Sequence, residues 1–328
     1  MLRKLLLLGG SAAAILLVPL ASTLAATAVP TSGQALEISP TVSQINVNPG
    51  QSTILAIKVH NISRDTQSVS MQVDDFTPNG ETGLPKINLG SDGSSMFSFK
   101  RWIKVLPSFQ IVSREIKAVN VKIDVPANAT PGSHYGIIRF TSSPPGLEGQ
   151  GVSISTSLGL LAIFKVSGLT TESMKVTEFS INQDGKTGKL FESTPFTFVE
   201  RLNNNGNTDL QPLGSVELFD SFGHKVANSG VNQPPHLVLP DSTRRFEQVL
   251  DYQTIGNKHL FGHYTAKMNL TYGEGNKKSL VAVYSFWVIP YRLIIAVIFA
   301  LLMLFILGRF LSRRYSFEVQ AKPKSRRQ

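Results

Sequence analysis

Val119-Asn120-Val121-Lys122-Ile123-Asp124-Val125 places an apolar residue at every second position. That is the period of a β-strand with one face in a core and the other in water. A Pro-Gly turn at Pro131-Gly132 follows, and then the run Tyr135-Gly136-Ile137-Ile138-Arg139-Phe140. The pattern continues in both directions. Toward the N-terminus, Ile45 and Val47 alternate with polar neighbours, Ile54 to Val59 is a strand-like run, and Val69, Met71 and Val73 alternate. Toward the C-terminus the same spacing returns at Phe196 and Phe198, at Val216 and Leu218, and at Tyr264, Ala266, Met268, Leu270 and Tyr272. Turn signals punctuate these runs at Pro49-Gly50, Asn79-Gly80, Asp92-Gly93, Asp184-Gly185, Asn205-Gly206 and Ser229-Gly230. Short alternating strands between such turns predict an all-β chain of Ig-like sandwiches.

An internal repeat predicts two of them in tandem. Ser113-Arg114-Glu115 and then Gly132-Ser133-His134-Tyr135 close the first unit, while Ser242-Thr243-Arg244 and then Gly262-His263-Tyr264 close the second. Tyr135 and Tyr264 are expected to share a structural role. Each unit also has an Asn-rich break after a strand, at Asn61 and at Asn203 to Asn207. The loop around Ser143-Pro144-Pro145-Gly146 leads into an apolar stretch ending at Val166, read as the last strand of the first unit. The expected sandwiches span residues 36–168 and 169–287.

The charge sits at the ends. The chain carries +10 from 32 Lys and Arg against 22 Asp and Glu, but ten of the cations lie at Arg3, Lys4, Arg292 and from Arg309 onward. The middle is close to neutral, which sets aside a nucleic-acid-binding surface and points to membrane devices. Arg3 and Lys4, the apolar stretch Leu5 to Leu20 and Ala26-Thr27-Ala28 predict a signal peptide over residues 1–28, with an uncleaved anchor as the alternative. Leu293 to Gly308 is uncharged and predicts one transmembrane helix over 288–311, against the alternative of a buried core helix. Its expected interface anchors are Trp287, Tyr291, Arg292, Arg309, Arg313 and Arg314. The basic tail, 312–328, is expected on the cytoplasmic side and the sandwiches outside a cell membrane crossed once.

Catalytic chemistry is not expected. Cysteine is absent, which removes thiol catalysis and cysteine metal sites. His259 and His263 are four residues apart, but on a strand that spacing separates the side chains by roughly 13 Å. Asp74-Asp75 ahead of Asn79-Gly80 reads as a solvated turn rather than a calcium loop. No enzyme, metal or cofactor is predicted. Phe97 to Lys104 mixes aromatics with cations. Lys100, Arg101, Trp102 and Lys104 are candidates for ligand contact, against the alternative of a strand with its rings inward.

Ile38-Ser39-Pro40, Asn48-Pro49-Gly50-Gln51-Ser52, Val59-His60-Asn61, Trp102 and Val125-Pro126-Ala127-Asn128-Ala129-Thr130-Pro131-Gly132 resemble the first domain of WxL-interacting surface proteins. The resemblance covers about residues 36–168. It implies a bacterial cell-surface protein whose first domain binds cell-wall peptidoglycan, with another surface protein as a possible partner of the second domain. The alternative is a structural or adhesive subunit of a surface protein complex without affinity for the wall.

Overall fold

The alternating run at 119–125 lies in the strand Ile116–Asp124 (β7), with Val119, Val121 and Ile123 buried and Asn120, Lys122 and Asp124 exposed. The computed structural model describes residues 36–143, 156–256 and 259–314. The expected signal peptide, the loop at 144–155 and tail residues 315–328 lie outside the described residues. β7 pairs antiparallel with Ser52–Asn61 (β3), which pairs with Leu36–Ser39 (β1). Facing this sheet is a larger one in the order Val42–Val47 (β2), Thr156–Val166 (β9), Gly132–Ser143 (β8), Gln67–Pro78 (β4) and Pro85–Asn88 (β5), with Phe109–Ile111 (β6) also on β4. β2 runs parallel to β9, and the other pairs are antiparallel. The inward residues of both sheets, among them Ile57, Val121, Ile138, Phe140 and Phe164, form one core.

The second half repeats the plan. Met174–Gln183 (β10), Phe196–Asn204 (β13) and Ser242–Leu250 (β16) form one sheet, with Lys186–Thr187 (β11) at its edge. The other has the order Leu190–Phe191 (β12), Lys278–Val288 (β18), Gly262–Tyr272 (β17), Leu213–Asp220 (β14) and Lys225–Val231 (β15). β12 is parallel to β18, as β2 is to β9. Phe196, Phe198, Leu202, Met268 and Phe286 are in its core. The chain is all-β and Ig-like in its sandwiches, and the two share one strand topology.

That shared topology explains the repeat and corrects one part of it. β8 and β17 are equivalent strands, and each begins at a glycine, Gly132 and Gly262. Counting from those glycines, Tyr264 corresponds to His134, not to Tyr135. Tyr264 packs in its own core, whereas Tyr135, one residue further, lies on the opposite face of β8 with Phe76 and Ile163. The Asn-rich breaks are equivalent in detail. Asn61 ends β3, is fully buried, and its amide donates to Asp65 O (2.8 Å) and Ile111 O (3.0 Å). Asn204 ends β13, is fully buried, and donates to Thr208 O (2.8 Å) and Val238 O (2.9 Å). Each side-chain oxygen accepts an N–H two residues on, from Ser63 and from Gly206.

The sandwiches meet along the outer face of the β9–β8–β4 sheet. Phe76, Tyr135 and Ile163 form a small apolar cluster against Leu237 and Leu239 of the second unit. Beside it, the fully buried carboxylate of Asp209 accepts from Ser133 Oγ (2.5 Å) and Gln44 Nε2 (2.8 Å) and pairs with Lys165 Nζ (3.2 Å). On another side, Glu81, in the β4–β5 turn, pairs with Arg201 (2.6 Å), which also pairs with Glu178. After β18, Pro290 leads into the helix Tyr291–Arg314 (α1), whose described side chains are all exposed.

Candidate functional site

β9 is paired along its whole length on one side only. β8 covers it from Ser142↔Thr156 to Gly132↔Val166. On the other side β2 begins at Val42↔Leu161. Thr156 to Leu160 therefore present an open edge among the described residues. Its polarity follows from one bond. Leu161 N donates to Thr41 O (3.0 Å), and because backbone groups alternate sides along a strand, Ser157 and Gly159 also turn N–H and C=O toward the open side. Leu158 is half-buried at the end of the core, and Leu160 is fully buried. An unpaired row of this kind templates the addition of another strand.

The edge stays open because the chain switches sheets. β1 pairs in the smaller sheet, Pro40 breaks the strand, and only from Thr41 is the chain hydrogen-bonded to β9. Periodicity alone could not show this, since Leu36 to Val47 reads as one strand interrupted by a proline. The sheet-switching signal is the short break at Ser39-Pro40-Thr41.

The four ligand-contact candidates do not form one surface. Lys100–Trp102 is a 3-10 turn rather than a strand, and Trp102 is buried against His134 (ring centroids 4.5 Å) and Phe164 (6.3 Å). Burial pulls the His134 imidazole below its ordinary pKa. Lys100 Nζ donates to Ser91 O (2.5 Å) and lies 3.8 Å from Asp74. Arg101, exposed, donates to Asp92 O (3.2 Å), and Lys104 is exposed. Asp74 and Asp75 are not in a solvated turn. They lie on β4 and are buried. Asp74 takes two bonds from Arg139, at 2.9 Å and 2.7 Å, and Asp75 accepts from Ser98 Oγ. β4 buries both faces over residues 73–76, so the alternation that would have flagged these carboxylates disappears there.

The helix anchors fall in different places. Trp287 is on β18, half-exposed, with its ring 5.1 Å from that of His263. Tyr291 opens α1, and Arg292 stands over its ring (5.9 Å) while pairing with Glu192 (3.3 Å). Arg309 and Arg313 are exposed in the last turns, and the helix backbone ends at Arg314.

No family model and no curated protein matches the chain. Among solved structures it is similar to the class 5 fimbriae chaperone CfaA, at 15% identity over 76% of this chain and 98% of that one, with a TM-score of 0.36. It is also similar to the E. coli chaperone DraB, at 12% identity over 77% and 96%, with a TM-score of 0.34. A protein of unknown function from Porphyromonas gingivalis W83 matches at 12% identity over 78% and 100%, with a TM-score of 0.29. At those scores the likeness extends to the sandwich class and no further.

These findings correct several expectations. Membership of the WxL-interacting family is not supported, since no family model matches the chain. The motifs behind that resemblance are corner chemistry. Asn48 O accepts from Gln51 N across a turn with Gly50 at φ +76°, and Pro126 O accepts from both Gly50 N and Ala129 N. Any sandwich with these corners would use such residues. Wall binding as the function and peptidoglycan as the partner fall with the family. So does the cell-membrane localisation with outer sandwiches and an inner tail.

Proposed function

We propose that the protein binds an extended segment of another protein along the open half of β9, as a structural or assembly component of a surface protein complex. The observation that carries this reading is the unpaired edge from Thr156 to Leu160 in a sheet whose next residues, from Leu161 onward, are paired on both sides. An added strand would satisfy the N–H and C=O groups of Ser157 and Gly159 and cover Leu158. Panning a displayed library of extended peptides against the full chain, with Ser157→Pro as the counter-screen, tests it. Peptides that bind the natural chain and lose about tenfold or more on the variant support edge pairing, since proline removes one donor on the open side. Peptides indifferent to the substitution would refute it.

The finer division of the chain is proposed on composition and segment geometry. It comprises a leader at 1–28, sandwiches at 36–168 and 169–288, a bilayer-crossing helix within Tyr291–Arg314 rather than from 288, since Val288 closes β18, and a basic tail after it. In support of the helix, Tyr291–Arg313 is long and apolar enough to cross a membrane, with hydropathy 2.8 and none of it buried in the protein. No compartment or orientation is attached to it. Resistance of the full chain to alkaline carbonate extraction, lost on Leu302→Arg, is the expected result.

A further inference from the structure

A cleft of about 520 Å³ lies where the two sandwiches face one another. Its floor is Val42, Leu161 and Ile163. One wall is the β4–β5 turn at Gly83 and Leu84, and the other is Leu237 with the start of β16. A cavity of this size, mostly apolar and at a domain junction, has the character of a small-molecule site. Among its polar lining groups is Arg244. The guanidinium bridges both walls. It packs so closely on Gly83 that a Cβ there would lie 2.2 Å from its Cζ, and its Nη1 donates to Leu237 O (2.8 Å).

Arg244 differs from the other arginines around it. The guanidinium–carboxylate pairs among the described residues involve Arg139, Arg201, Arg245 and Arg292. Arg244 has the ring of Phe246 at 5.5 Å and no carboxylate. It is half-buried, and burial alone pulls its pKa down, with nothing acidic to offset the loss of water. A fixed, partly desolvated cation facing an apolar cleft selects a ligand that supplies both what the cation lacks and what the cleft accepts.

We propose that this cleft binds a small apolar carboxylate, with its hydrocarbon body over Val42, Leu161 and Ile163 and its carboxylate on Arg244. The site does not depend on strand addition at β9, because the atoms it uses are side chains on the outer face of the sheet rather than the backbone edge of Thr156 to Leu160.

Isothermal titration of the full chain with 1-naphthylacetate, and with the uncharged 1-naphthylacetamide, tests the proposal. Saturable one-site binding of the carboxylate is expected, with the amide weaker by about tenfold or more, as the loss of a charge-assisted hydrogen bond requires. Arg244→Gln should weaken the carboxylate to the level of the amide. Because Arg244 also ties the two walls together, a second variant is needed. Val42→Trp, at an exposed position, fills the cleft from its floor while keeping the Arg244 side chain in the protein, and should abolish binding of both compounds. Ser157→Pro should leave both affinities unchanged, which separates this site from the strand edge. No saturable heat, equal affinity for acid and amide, or binding undiminished by Val42→Trp would each overturn the proposal.

Discussion

Asn61 and Asn204 show how one residue type closes the same structural gap twice. Each stands where a strand of the smaller sheet ends, and each amide ties the loop just beyond it, at Asp65 O or Thr208 O, to a carbonyl distant in sequence, at Ile111 O or Val238 O. Removing the amide deletes its hydrogen bonds at a buried site, at a cost of about 1 kcal/mol or more each. Asn61→Ala and Asn204→Ala should therefore each lower stability by about 3 kcal/mol in chemical denaturation, whereas Asn120→Ala, on an exposed strand face, should change it by less than about 0.5 kcal/mol. Glu200 is the opposite case. It is fully buried on the core face of β13, with neither carboxylate oxygen hydrogen-bonded. Burial, aided by the charge of Glu247 and opposed by the Gln248 side chain, pushes its pKa up to about 8. The folded state thus holds the proton that the unfolded chain releases near pH 4.5. Stability from this group is complete below that pH, declines as pH rises, and is gone above about 8. Thermal melts from pH 5 to 9 should show the natural chain losing stability toward alkaline pH, and Glu200→Gln should flatten that slope.

At the level of elements, β8 and β9 differ in exposure although they form one hairpin. β8 has neighbours on both sides, β9 and β4, so proline anywhere in its middle removes a ladder bond. At Ser157 the same substitution faces the open side. Ile138→Pro should unfold the first sandwich, while Ser157→Pro should shift stability by no more than about 0.5 kcal/mol. Circular dichroism melts of the two variants distinguish these outcomes. Elements of this kind were legible in the sequence wherever one face is wet. β7, β14 and β17 follow their alternation, with the inward residues of each in a core. Legibility failed where both faces are covered, as at Asp74 and Asp75 on β4, and where a run of turn residues carried no record of which sheet came next, as at Pro40. The candidate edge lies at such a point, which is why its residues were read only as part of an apolar stretch. The cation–aromatic cluster at 100–104 was misleading for a related reason. A 3-10 turn buries Trp102 and leaves Lys104 outside, so adjacency in sequence does not become adjacency on a surface.

Across the described residues, the two sandwiches are joined by several separate contacts rather than by a bare linker, three of which stand out. The apolar cluster around Tyr135, the Asp209 cluster and the Glu81–Arg201 pair bear on different parts of the junction. Gly132, at φ +117°, belongs to the second of these, since a Cβ there would come within 2.2 Å of Asn207 O. Removing the central carboxylate should uncouple the halves. Asp209→Ala removes the carboxylate that Lys165, Ser133 and Gln44 share, and calorimetry of the full chain should resolve two transitions where the natural chain shows a single, more cooperative one. A variant trace superposable on the natural one would mean that the apolar cluster alone sets the coupling. The duplicated topology also places the two parallel edge pairs, β2 on β9 and β12 on β18, at corresponding positions. In the second unit, however, that corner leads directly into α1.

That last junction has a mechanical consequence. β18 pairs with β17 at eleven consecutive positions, from Tyr272↔Lys278 to Gly262↔Val288. The next amide, Ile289 N, is bonded to Phe191 O (2.8 Å). A pull directed along β18 would load this ladder in shear, straining its rungs together rather than peeling it open one at a time. Force arriving along that line from the C-terminal side would meet the second sandwich in its most resistant direction and pass into the protein before the sandwich yields.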